Sequence, residues 1–191
     1  MDTQPRRHPA AIRSRQSIVE AAHRVLAFNP QVSLTQIASE AGVGRATLYR
    51  HFATREELLD TLVRGWRRDI ESAFTALDND GNGAENLARM TTACVRVMYE
   101  HRGVWGNPEV QERRHAVTPA DSLMDLWRGS VRRGRGDGSV RSDLPEEWVL
   151  RFLFAAIGAA IEAVAEGDMT LEDAARHCAS GVVWGIAAVR G

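Results

Sequence analysis

Apolar residues recur every three or four positions along most of this chain, which is the period of a helix with one buried face. The first stripe predicts a helix over about residues 11–28, and Asn29-Pro30 ends it because the residue before a proline disfavours helical geometry. A second stripe keeps this spacing over about five turns; it consists of Leu59, Leu62, Val63, Trp66, Ile70, Ala73, Phe74 and Leu77. No convincing strand pattern interrupts the helices.

The second half of the chain repeats this pattern. Further stripes predict helices over about residues 84–101, 118–133, 146–166 and 171–189. Thr118-Pro119 marks one helix start and Gly167 marks one helix end. The Gly-rich stretch 134–144 is predicted to be a loop, and the turn cluster at residues 79–83 is predicted to separate two domains.

Residues 33–59 differ from the rest because two short helices are predicted close together around a tight turn. Ser33 and Gln36 form a capping-box pair at the start of the first helix. Gly42 tolerates the positive φ that a sharp helix break favours, and Gly44 is a weak cap for the next helix. In that second helix, over about residues 45–52, Leu48 and Phe52 share the buried face.

The outward face of the second short helix carries the chemistry of a DNA reader. Arg45 can donate a bidentate pair to guanine, and Ala46 with the Thr47 methyl can contact a thymine methyl. Tyr49, Arg50 and His51 are placed to meet phosphates, as is Arg55 at the start of the next helix. The predicted DNA-binding set is Ser33, Thr35, Arg45, Ala46, Thr47, Tyr49, Arg50, His51 and Arg55. The pattern alone leaves an alternative open, since similar helix pairs occur in proteins that never bind DNA.

The same segment resembles the DNA-binding signature of the TetR/AcrR family of transcriptional regulators. The resemblance covers about residues 18–63 and rests on Ser33, Ile37-Ala38, Ala41-Gly42-Val43, Thr47-Leu48-Tyr49, His51-Phe52 and Arg55-Glu56-Glu57-Leu58-Leu59. Gly44 and Arg55 depart from the family's usual Ser and Lys. The rest of the chain matches only in length and helical character.

The resemblance implies an all-α fold of about nine helices. Residues 1–56 would form a three-helix helix-turn-helix DNA-binding domain, with 1–10 as a flexible basic arm. A long helix would join it to a ligand-binding and dimerisation domain over residues 57–191. The implied function is that of a transcriptional regulator, by family default a repressor, which a small apolar or amphipathic ligand releases from its operator.

Charge supports nucleic-acid binding at one end only. Residues 1–55 carry eight Arg against three acidic residues, whereas residues 56–191 carry 16 Arg against 22 acidic residues. Five basic residues precede or open the first helix: Arg6, Arg7, His8, Arg13 and Arg15. They can form an arm on the phosphates or in the minor groove of DNA, and a solvated terminus is the alternative for residues 1–8. All 24 basic residues are Arg, a side chain suited to phosphate and guanine recognition.

The last two predicted helices, about 146–166 and 171–189, are rich in Ala and Gly and apolar over more than one face. Small residues let helix axes approach closely, which favours a four-helix dimer interface; the alternative is a central position within one chain. The resemblance implies the same dimer. A two-fold dimer would place two reading helices in successive major grooves of a palindromic operator.

The family resemblance further implies a ligand pocket lined by the middle helices. The candidates are Met90, Cys94, Met98, Trp105, Leu123, Met124 and Trp127. Met and Trp suit an adaptable apolar pocket, although residues at this spacing also form ordinary cores. A regulator that needs no ligand, and a helical dimer that acts through protein partners, remain alternatives.

Other function classes find little support in the sequence. The chain lacks the usual hydrolase, metalloprotease and nucleotide-binding motifs, and its six His show no paired metal spacing. We therefore expect no enzyme activity, metal or cofactor. Cys94 and Cys178 are predicted to be buried free thiols, consistent with a reducing cytoplasm. No secretory segment is recognisable, and the longest apolar run, near 152–165, is too short for a membrane span.

Overall fold

The computed structural model describes residues 9–78, 80–110 and 121–188, and within them it delimits nine helices and no named strand. The first four are α1 (Pro9–Leu26), α2 (Leu34–Glu40), α3 (Arg45–His51) and α4 (Arg55–Thr75). They are followed by α5 (Gly83–Glu100), the short α6 (Arg102–Trp105), α7 (Asp121–Gly136), α8 (Glu146–Glu166) and α9 (Leu171–Ile186). Residues 108–110 are also helical. The predicted all-α fold is confirmed.

The helices form two compact units. The N-terminal unit contains the described residues up to Gly65 together with 101–110, and the C-terminal unit contains the described residues of 66–100 and 121–188. The division therefore falls inside α4, nine residues beyond the boundary predicted at residue 56 and well before the turn cluster at 79–83. Residues 101–110 were predicted to belong to the second domain, yet in this structure they pack within the first.

The N-terminal unit has a continuous apolar core built from α1 to α4. Its most buried side chains are Ile18, Leu26, Ile37, Leu48, Phe52, Leu58, Leu59 and Leu62. Val104 and Val110 complete this core from the later segment. Gly103 makes that approach possible, because a Cβ there would lie 2.5 Å from the backbone nitrogen of Ala27.

In the C-terminal unit, α5 packs along α9 and also against α7 and α8. Trp127 of α7 is buried, and its ring meets those of Phe74 and Phe154 edge-on at centroid distances of 5.5 and 5.6 Å. Gly83 lies against the backbone of Gly134, where a Cβ would meet its nitrogen at 2.2 Å. An isolated antiparallel bridge joins Val140, which follows α7, to Ala187, which follows α9.

Most predicted helix ends agree with the structure to within a few residues. Thr170 caps α9 by accepting from the Asp173 backbone N–H at 3.1 Å, and Gly167 ends α8 with a φ of +85°. The predicted loop 134–144 begins later than expected, since α7 continues to Gly136. The predicted start at Thr118-Pro119 and the proposed arm residues Arg6, Arg7 and His8 lie outside the described residues.

One prediction about membranes needs correction. The apolar run near 152–165 belongs to the 21-residue helix α8, which by length and composition is the one described helix able to cross a membrane. Buried helices of globular proteins have the same composition, so this property alone does not indicate a membrane span.

Candidate nucleic-acid interface

The first helix of the predicted reading pair begins with the capping box that its sequence indicates. The Ser33 hydroxyl accepts from the Gln36 backbone N–H at 3.3 Å, and the Gln36 side chain accepts from the Ser33 N–H at 3.0 Å. Ile37 and Ala38 are buried one turn later. Two of the unpaired N–H donors at the start of α2 are thus satisfied, which fixes where this short helix begins.

The turn between the two helices has the predicted geometry. Gly42 adopts a φ of +66°, a conformation that costs other residues free energy. The Val43 N–H then donates to the Ala38 carbonyl at 3.0 Å, which closes the turn against α2. Gly44 precedes α3 with extended backbone and provides no side-chain cap, as predicted. The orientation of α3 therefore depends on the turn and on its buried face.

Helix α3 is divided sharply into a buried and an exposed face. Leu48 and the residue that ends the helix, Phe52, are fully buried. Arg45, Ala46, Tyr49 and Arg50 are exposed, and Thr47 is half-buried. The structure thus places Arg45, Ala46, Tyr49 and Arg50 together on the solvent-facing side of α3.

An arginine on this surface is already oriented before any DNA binds. The Arg45 guanidinium carbon lies 5.5 Å from the centre of the Tyr49 ring, one helical turn away. Stacking of a guanidinium on an exposed aromatic ring contributes about 0.5–1 kcal/mol. The contact limits the rotamers of Arg45, and a side chain that is held in place loses less entropy when it forms a bidentate pair with guanine.

The remaining residues predicted to bind DNA from α2 and α3 differ in solvent exposure and in hydrogen bonding within the protein. Thr35 is exposed. The Ser33 hydroxyl is engaged with Gln36, to which it also donates at 2.9 Å. His51 is half-buried, with its Nε2 atom shielded from solvent.

Arg55 is engaged inside the protein. Its Nε donates to both carboxylate oxygens of Glu109 at 3.0 and 3.2 Å. Its Nη2 donates to the Pro30 carbonyl at 2.5 Å, and its Nη1 donates to the Val32 carbonyl. The sequence offered no signal for Glu109, which lies 54 positions further along the chain.

The start of α4 is also capped. The Thr54 hydroxyl accepts from the Glu57 N–H at 3.2 Å. The Glu57 carboxylate reaches back to the Ala53 N–H at 2.9 Å, one residue before the Thr54 N–H that a regular capping box would use. Arg15 lies on α1, with its guanidinium carbon 4.9 Å from the centre of the Phe52 ring.

Six of the seven predicted ligand-binding residues belong to the C-terminal unit. Met90, Cys94 and Trp127 are buried, whereas Met98, Leu123 and Met124 are half-buried. Trp105, the seventh, belongs to the N-terminal unit. A depression of about 320 Å³ lies on a different face of α5, lined by Leu77, Ala88, Arg89, Thr92, Ala93 and Arg96, so none of the predicted residues lines it. The predicted ligand set stays a prediction.

Both cysteines are free and buried within the C-terminal unit, as predicted. Burial raises the pKa of the Cys94 thiol to about 12, with a smaller contribution from Cys178. Burial likewise raises the pKa of Cys178 to about 11. Both groups are therefore protonated thiols at neutral pH and poor nucleophiles.

A capped helix that is joined through a left-handed glycine turn to a second helix with a basic and aromatic exposed face has the geometry of a helix-turn-helix DNA-binding motif. Comparison with known proteins agrees. Residues 18–62 match the family described as "Bacterial regulatory proteins, tetR family". The chain belongs to this TetR family of transcriptional regulators.

Named relatives extend the likeness beyond the helix pair. The chain is 27% identical to the transcriptional repressor KstR2 of Rhodococcus jostii over 81% of each chain. It is 26% identical to the repressor LfrR of Mycolicibacterium smegmatis, again over 81% of each. The solved structure of the ketosteroid transcriptional regulator KstR2 of Mycobacterium tuberculosis superposes with a TM-score of 0.75 at 23% identity, covering 92% of this chain and 95% of that one.

Proposed function

We propose that this DNA-binding regulator is a homodimeric repressor that a small apolar or amphipathic ligand releases from a palindromic operator. The observation that carries the DNA-binding part is the exposed surface of α3, where Arg45, Tyr49 and Arg50 stand on a helix anchored by Leu48. In such a motif the residues near the start of the second helix read base edges. Arg45 is the proposed base reader, and Arg50 is a proposed phosphate contact.

The proposed dimer rests on the outer faces of α8 and α9. On α8 one exposed stripe follows helical spacing: Trp148, Arg151, Phe152, Ala155, Gly158, Ala159 and Glu162. On α9 a second stripe consists of His177, Ser180, Gly181, Trp184 and Gly185. Large aromatic side chains beside Ala and Gly suit close helix packing against a second copy. Ala174 and Ala175 of α9, in contrast, are buried within the chain.

A two-fold dimer dictates the form of the operator. Its two α3 helices would enter major grooves about one helical turn apart, roughly 34–36 Å. The operator is therefore proposed to be palindromic, with half-sites about 10 base pairs apart.

The proposed ligand binds in the C-terminal unit, near the predicted pocket residues on α5 and α7. LfrR of Mycobacterium smegmatis has been solved in complex with the small molecule proflavine. In the proposed mechanism, the ligand binds more tightly to a conformation that fits the operator poorly. Only such a difference in affinity can shift the population away from DNA-bound protein.

Selection of bound fragments from genomic DNA tests the proposal, with the intact protein as bait. We expect a palindromic fragment to be recovered and its affinity to fall steeply with salt, by a slope of about −0.9 per neutralised phosphate. Recovery of no preferred fragment would refute the proposed operator. Affinity that is insensitive to salt would instead favour the alternative, a helical dimer that acts through protein partners.

Small molecules should then be tested against the recovered fragment. If compounds related to the products of the neighbouring genes never alter operator affinity, the protein acts as a ligand-independent regulator. The proposed site of action is the cytoplasm, where the DNA and a reducing environment for Cys94 and Cys178 are both found.

A further inference from the structure

We infer that Arg55 and Glu109 form a clasp that positions the helix pair for DNA binding, and that Arg55 does not serve as a phosphate anchor. The clasp consists of these two side chains and the Pro30 and Val32 carbonyls that Arg55 also holds. The inference rests on the proposed DNA binding. It assigns a positioning role to Glu109, a residue outside the helix-turn-helix.

All three nitrogen atoms of the Arg55 guanidinium are occupied by protein acceptors. The side chains of Arg55 and Glu109 are only 23% and 34% exposed. A guanidinium offers its donors in a rigid planar fork, so it can serve several fixed acceptors at once. Turning the guanidinium outward to a phosphate would break charge-assisted hydrogen bonds in a partly buried place, where they are strong.

The carbonyls that Arg55 holds lie just before α2. Val32 directly precedes Ser33, the residue that caps this helix. The Val32 side chain is buried in the core of the N-terminal unit. Fixing the chain at this point fixes where α2 begins, and α3 follows α2 through the tight turn at Gly42. The clasp therefore acts on the placement of the DNA-facing surface without touching DNA.

A second side chain from the same late segment strengthens the attachment. Asn107 is fully buried, and its Nδ2 donates to the Pro30 carbonyl at 3.1 Å. Its Oδ1 accepts from the Glu109 N–H at 2.9 Å, which orients the residue that faces Arg55. Pro30 is thus held by two side chains, one from α4 and one from residues 101–110. Both belong to the N-terminal unit.

The test uses Arg55→Ala, Glu109→Ala and their double variant in the full-length protein, with the selected genomic fragment as probe. We expect each single variant to weaken binding on the order of tenfold, a usual size for coupling between separate sites. The double variant should be no weaker than the worse single variant, because both changes open the same clasp. The slope of log affinity against log salt should stay at the wild-type value.

A phosphate contact would give the opposite pattern. Arg55→Ala would then reduce the salt slope by about one, whereas Glu109→Ala would leave affinity unchanged or raise it by freeing the guanidinium. Additive losses in the double variant would also overturn the inference, since they would show that the two side chains act independently. Arg55→Lys gives a further distinction: lysine keeps the charge but lacks the planar fork of donors that reaches Glu109, Pro30 and Val32 together, so this variant should bind DNA as weakly as Arg55→Ala.

Amide hydrogen exchange in the free protein tests the clasp without DNA. Exchange at Val32 and Ser33 should accelerate in Arg55→Lys and in the milder Glu109→Gln, two variants that preserve side-chain size if the alanine variants fail to fold. The control is Arg96→Ala, which breaks an exposed ion pair with Glu172 in the C-terminal unit. Unchanged exchange at Val32 and Ser33 would overturn the inference, whereas failure of the wild-type protein to select DNA would refute the proposed function only.

Discussion

Two exposed helical surfaces of this protein have opposite chemical character, one basic and polar and the other apolar. The face of α3 presents Arg45, Tyr49 and Arg50, groups that bind a hydrated, negatively charged partner. The faces of α8 and α9 present Trp148 and Trp184 beside small residues, a surface that water solvates poorly. The comparison shows that exposure alone does not identify a partner. A polar face with ordered arginines fits DNA, whereas an apolar face with room for close approach fits another protein helix.

The largest expected effect comes from placing a charge in the apolar surface. Trp184 is 87% exposed in the single chain, so Trp184→Glu removes few contacts within it. If this surface is the dimer interface, the change buries an unpaired carboxylate and removes an aromatic anchor, and the dimer should weaken by more than about 100-fold. Sedimentation equilibrium at micromolar concentration should then show a monomer, and operator binding should be lost with it.

Phe28→Glu provides the matched control for this experiment. Phe28 is 84% exposed, but it lies in the N-terminal unit, on neither α8 nor α9. The Phe28→Glu variant should therefore remain a dimer. If Trp184→Glu also remains dimeric with unchanged affinity, the apolar face of α8 and α9 is not the interface.

The next effect concerns the polar surface. Arg45→Ala should cost about 1–3 kcal/mol of binding free energy and should relax the preference at one position of each half-site, because a bidentate pair with guanine is lost. Binding measured across a set of single-base operator variants would show this. Arg50→Ala, in comparison, should weaken all operators equally and reduce the salt slope by about one. A uniform loss for Arg45→Ala would reassign it to phosphate binding.

The sequence predicts the polar surface well because its signals are local. The cap at Ser33, the positive φ of Gly42 and the buried pair Leu48 and Phe52 depend on residues a few positions apart. The place of residues 101–110 was not predictable in the same way. Gly103 approaches α1 closely, and Glu109 pairs with Arg55. Both contacts join residues more than 50 positions apart, so no periodic pattern in the sequence predicts them.

The packing partner of the small residues on α8 and α9 is likewise not predictable from local sequence. Their Ala and Gly residues predict close packing, but the sequence does not say whether the neighbour is in the same chain. The structure divides them: Ala160 and Ala179 are buried within the chain, whereas Ala155 and Gly181 are exposed.

A smaller effect is expected where the polar surface depends on a helix cap. Ser33→Ala removes the side-chain acceptor for the Gln36 N–H and one half of the capping box. Such changes cost about 1 kcal/mol of the free energy of unfolding. Thermal or denaturant unfolding would measure this loss of stability, with Ser39→Ala on the exposed side of α2 as the control. A loss no greater than that of the control would mean that the cap does not contribute to the stability of the helix pair.

The smallest effect should have the opposite sign, because α3 lacks the cap that α2 possesses. Gly44 has extended backbone with a φ of −68°, and a Cβ placed there meets no atom within 4 Å. Serine therefore fits without strain, can accept from the first free N–H groups of α3, and restricts the unfolded chain. Gly44→Ser should raise the free energy of unfolding by a few tenths of a kcal/mol. Gly42→Ser is the contrasting variant, because its φ of +66° makes any side chain unfavourable, and it should destabilise the protein. If both variants shifted stability in the same direction, cap chemistry and backbone strain would not be what separates these two glycines.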